Sequence, residues 1–251
     1  MFPLIQITSE IALPTYYLVI SLVTCLCLFW LHERQKSSNL PRNIVLDLSL
    51  IIMVTGFLGG RLFHVFFEQW DYYAKDLSLI LHFWDGGFVF FGGAILSASA
   101  AWIFLFFTDK KHTLDYFDLF APIMALAYGL GRIGCLMAGC CYGKACDLPW
   151  AINHRHPTQL YATLWELAAM LILLGIAGID RKNRKPAVFQ KPGAVFFLWM
   201  IFHGFGRLLM ETFRDDFRGP VWGITISSWI SVALIALGVF LLIVEPQEKE
   251  S

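Results

Sequence analysis

The side chains best equipped for chemistry lie in one run, residues 129–146, which holds Gly131-Arg132-Ile133-Gly134, Cys135, Cys140-Cys141, Gly143 and Cys146. The run closes a long apolar stretch. An unpaired arginine in hydrocarbon is costly enough to mark a functional site. No Asp or Glu lies within two helical turns of Arg132, so its partner must come from another helix or from a ligand. The cysteines admit three readings. Their Cys-x4-Cys-Cys-x4-Cys spacing matches zinc motifs poorly, and no metal is expected. A disulfide from Cys146 to Cys140 or Cys141 suits an oxidising compartment. A thiolate stabilised by Arg132 would act as base or nucleophile. At least one disulfide, with one thiol left near Arg132, is the preferred arrangement.

Other polar residues form columns. His203, Arg207, Glu211 and Arg214 are spaced 4, 4 and 3 apart and share one face of a helix. An Arg207–Glu211 ion pair would neutralise itself and leave Arg214 over. Arg61, His64 and Glu68 form a second column after Gly56, Gly59 and Gly60, where an Arg61–Glu68 pair would be structural. Trp84-Asp85-Gly86-Gly87 and Gly92-Gly93 give either irregular backbone against a ligand or notches for helix packing. Gln159, Tyr161 and Glu166 follow His156-Pro157, and Tyr16 and Tyr17 follow Pro14.

These columns need apolar helices to hold them. The 251 residues are 57% hydrophobic and 15% charged, against about one quarter charged in a soluble domain. Net charge is zero, which excludes an electrostatic nucleic-acid footprint. Seven stretches are long enough to span a bilayer, near 14–31, 44–67, 86–107, 115–138, 158–179, 192–212 and 221–244. No Lys or Arg precedes the first, so it reads as a retained helix rather than a cleaved signal. The fold class expected is an all-α polytopic membrane protein, a single bundle with interfacial segments near 68–85 and 140–157. Eleven Lys and Arg fall in the loops after spans 1, 3 and 5 and in the tail, and five in the opposite loops. That asymmetry puts the N-terminus in the periplasm and the C-terminus in the cytoplasm. Arg61, Arg132 and Arg207 then lie at one depth near the outer leaflet, and a shared anionic ligand follows.

In this order the motifs resemble the prolipoprotein diacylglyceryl transferases. The matching pieces are Pro14-Thr15-Tyr16, Gly59-Gly60-Arg61 with His64, Gly92-Gly93, Gly131-Arg132-Ile133-Gly134 with Gly143, His156-Pro157-Thr158-Gln159-Leu160-Tyr161, and Arg207-x3-Glu211-x2-Arg214. The resemblance implies a multi-pass enzyme of the bacterial inner membrane, without cofactor. Such enzymes move the diacylglyceryl group of phosphatidylglycerol to the cysteine of an exported lipoprotein precursor and release glycerol phosphate. Arg132 and Arg207 would hold the donor phosphate, with Arg61, His64 and Arg214 in support. Gly92, Gly93 and Gly143 would shape the headgroup site, and Tyr16, Gln159 and Glu211 would orient it. The chain departs from the family pattern at four positions. Phe91 replaces a histidine, Cys135 and Ala138 replace asparagines, and Cys140 replaces an acidic residue, so the resemblance implies Cys135 or Cys140 as thiolate base or nucleophile in their place. Two alternatives stand beside this reading. One is a membrane thiol–disulfide oxidoreductase working through Cys135, Cys140, Cys141 and Cys146; the other is an inactive lipid-binding paralogue.

Overall fold

A computed structural model describes residues 4–6, 12–83, 86–178, 191–215 and 221–244. Trp84 and Asp85, and the basic residues Arg181, Lys182, Arg184, Lys185, Arg218 and Lys249 used to orient the chain, lie outside the described residues. In chain order the elements are β1 (Leu4–Gln6), β2 (Ala12–Pro14), α1 (Thr15–Lys36), α2 (Arg42–Phe63), α3 (Trp70–Tyr73), α4 (Phe90–Thr108), α5 (Thr113–Ala138), α6 (Thr158–Gly178), α7 (Ala194–Phe213), β3 (Val221–Trp222), β4 (Ile224–Thr225) and α8 (Ile226–Ile243). A π-helical turn, His64–Glu68, extends α2, and a 3-10 turn covers Leu77–Leu81. The strands form two small antiparallel hairpins, β1 with β2 and β3 with β4. Among the described residues seven helices are long and apolar enough to cross a membrane. The chain is therefore a multi-pass membrane protein of all-α class, as its hydropathy implies.

Local chemistry sets the ends of these helices. Pro14 and Pro41 sit immediately before α1 and α2 with extended backbone, where the missing N–H costs nothing. Helix α4 starts at Phe90 rather than at Gly86, because Gly86 and Gly87 adopt φ of 81° and 77°. Helix α8 starts at Ile226 rather than at 221. The chain first turns at Gly223, φ 77°, and Thr225 then accepts from the Ser228 N–H as N-cap.

The chain divides into two compact units, residues 38–116 and residues 1–37 with 117–251. In the first, α2 and α4 pack through glycine. A Cβ on Gly93 would stand 2.6 Å from the Gly56 carbonyl oxygen, and one on Gly59 would stand 2.5 Å from that of Gly92. The close approach of two backbones is what Gly92 and Gly93 provide here, by the small-residue packing common between membrane helices. Gly93→Ala must therefore push the helices apart, and we expect a cost of about 1–3 kcal/mol. Gly56→Ala meets only Ser97 Cβ at 3.9 Å and should be neutral or better. Thermal unfolding in detergent checks the pair: equal midpoints for the two variants would refute this account of the interface.

In the second unit, α5 and α7 are the most enclosed spans, 44% and 50% buried against 17–28% for the others. Near the start of α7 they pack with α6 around a core of Ala121, Leu173, Val195 and Leu198. Asp118 of α5 caps the start of α7: one carboxylate oxygen accepts from the Gly193 N–H at 2.8 Å and the other from the Phe196 N–H at 2.9 Å. A carboxylate suits the positive end of a helix dipole. The cap also sets register. Arg132 lies 14 residues beyond Asp118, and Arg207 lies 14 beyond Gly193. At 1.5 Å per residue each is about 21 Å up its helix, so the two arginines reach the same level.

Candidate active site

One cavity in this unit collects the residues singled out by type. It is lined by Tyr128 and Arg132 of α5, Cys141, Thr158, Gln159 and Ala162, and Arg207, Met210 and Arg214 of α7 and its end. Three guanidinium groups thus share one small space, and among the described residues no acidic side chain lines it. Arg132 donates to the Tyr128 hydroxyl, one helical turn earlier, and stacks over that ring at 4.6 Å. Arg207 pairs with Glu211 at 2.8 Å and donates to Ser227 at 3.0 Å. Glu211 also accepts from Thr225 at 2.7 Å and from Ser227 at 3.3 Å, so it ties α7 to the start of α8. The self-neutralising Arg207–Glu211 pair expected from the spacing is formed, and Arg214 lines the same cavity beyond it.

The loop after α5 fits the cavity wall together. Gly139 and Cys141 both have positive φ, 77° and 65°, which fold the chain back over the helix end. The carbonyl of Cys140 accepts from Gln159 Nε2, and that of Cys141 accepts from Thr158 Oγ1 at 2.7 Å. Gly143 sits where a Cβ would come within 2.6 Å of both His156 and the Phe213 carbonyl. Its bridge to Arg214, with Lys144 N–H to Phe213 O at 2.8 Å, fixes where α7 ends and Arg214 begins. Gly143 therefore positions the site rather than contacting a ligand by a side chain. Tyr16 stands against Gly134, within electrostatic range of Cys135, Cys140 and Arg132.

Gln159 is almost fully buried. With Nε2 engaged, its Oε1 has no partner among the described residues, which leaves an acceptor at the cavity. Beneath it, Glu166 accepts from or donates to His203 Nδ1 at 2.6 Å, and His203 meets the Tyr128 ring edge-on at 4.6 Å. Tyr128 carries the contact from this buried pair to Arg132. It was missed as a site residue, although its i−4 relation to Arg132 is a signal for such a pairing.

All six cysteines are free thiols. The expected disulfide of Cys146 with Cys140 or Cys141 is not formed, because Cys146 is held elsewhere. Its N–H donates to His154 O at 2.9 Å in the short ladder that pairs Ala145 with Arg155. Cys135, Cys140 and Cys141 instead bring their sulfur atoms within 4.8 Å of one another. The Cys141 thiol is pushed down by hydrogen bonds from Cys135 and Cys140, helped by Arg214 and Arg132, while the same sulfur contacts push Cys140 up.

The other unit holds the rest of the expected set. Arg61, 3% exposed, donates to Ile80 O at 3.1 Å, Leu79 O at 2.9 Å, His82 O at 3.1 Å, Gly86 O at 2.5 Å and Gly87 O at 3.3 Å. All five guanidinium N–H groups are thus used. The expected Arg61–Glu68 pair is not formed either: Glu68 takes His64 Nδ1 at 2.9 Å, because Arg61 points at the carbonyls of Leu79, Ile80, His82, Gly86 and Gly87. Arg61 ties those carbonyls together within its own unit. Arg132, Arg207 and Arg214 are the converging trio.

Comparison with known proteins places this arrangement. The family model described as prolipoprotein diacylglyceryl transferase matches residues 3–244. The chain belongs to that family. A relative in Clostridium tetani (strain Massachusetts / E88), a phosphatidylglycerol–prolipoprotein diacylglyceryl transferase, is 31% identical over 248 residues, covering 94% of each chain. One of the same name in Streptococcus pneumoniae (strain Hungary19A-6) is 33% identical over 233 residues, covering 87% of this chain and 84% of the relative. The family is one of transferases, and the oxidoreductase and inactive-paralogue alternatives have no support.

Proposed function

We propose that this chain transfers the diacylglyceryl group of phosphatidylglycerol to the cysteine thiol of a lipoprotein precursor, at the outer leaflet of a bacterial inner membrane, with its N-terminus outside. The observation that carries the reading is the cavity lined by Arg132, Arg207 and Arg214, with no acidic residue in its wall among the described residues. Three guanidinium groups gathered in one low-dielectric site favour an anion there. Guanidinium groups suit a phosphodiester, whose oxygens they bind two at a time. Glu211 keeps Arg207 oriented, and Gln159 Oε1 offers an acceptor for a glycerol hydroxyl of the headgroup. The cavity measures about 10 Å³, room for one water, so the headgroup must part the arginines as it enters.

The reaction breaks the bond between the glyceryl carbon and the phosphate oxygen and forms a bond from that carbon to the acceptor sulfur. The phosphate leaves with one more negative charge than it brought. Arg132 and Arg207 stabilise that growing charge, the electrostatic contribution expected to dominate in such a site. The thiol proton has to be removed first, since the thiolate is the nucleophile. Cys135, Cys140 and Cys141, beside the cavity, are the groups placed to influence that step.

Purified protein incubated with headgroup-labelled phosphatidylglycerol and a peptide carrying one lipidation-site cysteine tests the reading. Lipidated peptide and labelled glycerol phosphate should appear in equal amounts. Intact lipid, under conditions where a family member of known activity turns over, would rule it out.

A further inference from the structure

We propose that Cys135, Cys140 and Cys141 form a three-thiolate site for a Zn²⁺ ion whose fourth position is open to the acceptor thiol. Their sulfur atoms all lie within 4.8 Å of one another, and Cys140 Sγ and Cys141 Sγ are 3.4 Å apart. Zinc holds sulfur at about 2.3 Å in a tetrahedron, which puts ligand sulfurs roughly 3.8 Å from each other. The cluster therefore needs to close by about 1 Å at most, a side-chain movement.

The spacing argument against zinc fails here for a visible reason. Cys135 is on the last turn of α5, and its carbonyl accepts from the Cys140 N–H at 3.1 Å. The reversal at Gly139 and Cys141 then folds the next two sulfurs back onto the first. The backbone carrying them is clamped by Gln159 and Thr158 through the carbonyls of Cys140 and Cys141, so the donor set is built before any metal arrives. Charge agrees as well. Zn²⁺ with three thiolates carries one net negative charge, and Arg132 and Arg214 act on Cys141 from the cavity side. Cys140 is exposed and Cys141 half-buried, which leaves one side of the cluster open.

Three protein ligands with an open fourth position is the arrangement of catalytic rather than structural zinc. A thiol that coordinates the ion is deprotonated outright. Resting on the transfer reading above, the sequence of events balances as follows. The acceptor thiol displaces water from the fourth position and loses its proton to solvent. Its sulfur then attacks the glyceryl carbon while the carbon–oxygen bond breaks and its electron pair leaves on the phosphate held by Arg132 and Arg207. The product thioether is a weak ligand and gives way to water. Nothing is oxidised or reduced.

The test is a titration of the reduced, metal-stripped full chain in detergent with Co²⁺, which reports thiolate ligation by a near-ultraviolet charge-transfer band. One equivalent should produce the band. Cys135→Ser, Cys140→Ser and Cys141→Ser should each lose it, while Cys146→Ser and Cys25→Ser keep it. Cys141→His, which can still ligate, should bind one equivalent with a weaker band and guards against simple misfolding. A cysteine peptide should strengthen the wild-type band. Absence of stoichiometric binding, a band that survives Cys141→Ser or vanishes with Cys146→Ser, or no response to the peptide would overturn the proposal. The titration contains no lipid. A chain that binds Co²⁺ but lipidates no peptide would count against the transfer reading alone, and full transfer by the metal-stripped chain would count against the zinc site alone.

Discussion

Replacing Arg132 by alanine should lower kcat/KM for peptide lipidation by about 10²–10³-fold, with most of the loss in kcat. The phosphodiester enters with one negative charge and leaves as a monoester with a second one developing, so a guanidinium beside it gains most as the carbon–oxygen bond breaks. An interaction stronger in the transition state than in the ground state is lost from kcat rather than from KM. Arg132→Lys should recover only a small part, since an ammonium is a point donor that cannot hold two phosphate oxygens at once. The fold should be nearly indifferent. Among the described residues, the hydrogen bond of Arg132 is to the Tyr128 hydroxyl of its own helix. Steady-state kinetics paired with thermal unfolding decides the matter. A variant that unfolds many degrees early would make Arg132 a structural residue, and one that keeps wild-type kcat would remove it from the chemistry.

How far the residues themselves announced this site depends on the kind of signal each carried. The seven spans were legible because 18 or more apolar residues in a row have few other uses. Arg132, Arg207 and the Arg207–Glu211 pair were legible for a related reason: polar groups in hydrocarbon need partners, and helical spacing names the near ones. The identity of the third arginine was not. Arg61 and Arg214 look alike as residue types, and only the 77–87 turn, through its carbonyls, decides that Arg61 is spent locally. The level shared by Arg132 and Arg207 likewise depends on Asp118 capping α7 across 75 positions of sequence, which no local pattern reports. The cysteines were the hardest to read. Linear spacing treats the chain as continuing in one direction, whereas Gly139 and Cys141 turn it back and bring Cys135 beside two residues that spacing had set apart.

The second large effect expected is one of stability, at Arg61. Its side chain is nearly inaccessible and lies among the rings of Tyr73, Phe83 and Phe88, at 5.2, 5.9 and 5.9 Å. Arg61→Ala would strip the hydrogen-bond donor from five backbone carbonyls at once, each an acceptor that costs about 1–3 kcal/mol when left unsatisfied and dry. Water reaching the turn will restore some of them, so the loss should be about 3–5 kcal/mol, the range seen when one member of a buried charged set is removed. Arg61→Lys should do little better, because one ammonium has three N–H groups for five carbonyls and no flat face for the aromatic rings. The measurement is the unfolding midpoint in detergent together with proteolysis within the 77–87 turn, both read without substrate. Were Arg61 instead a phosphate ligand, the variant would unfold like the wild type and lose affinity for phosphatidylglycerol. An early-melting, easily cut variant whose remaining folded fraction still turns over at a normal kcat would assign Arg61 to the architecture and leave the anion to Arg132, Arg207 and Arg214.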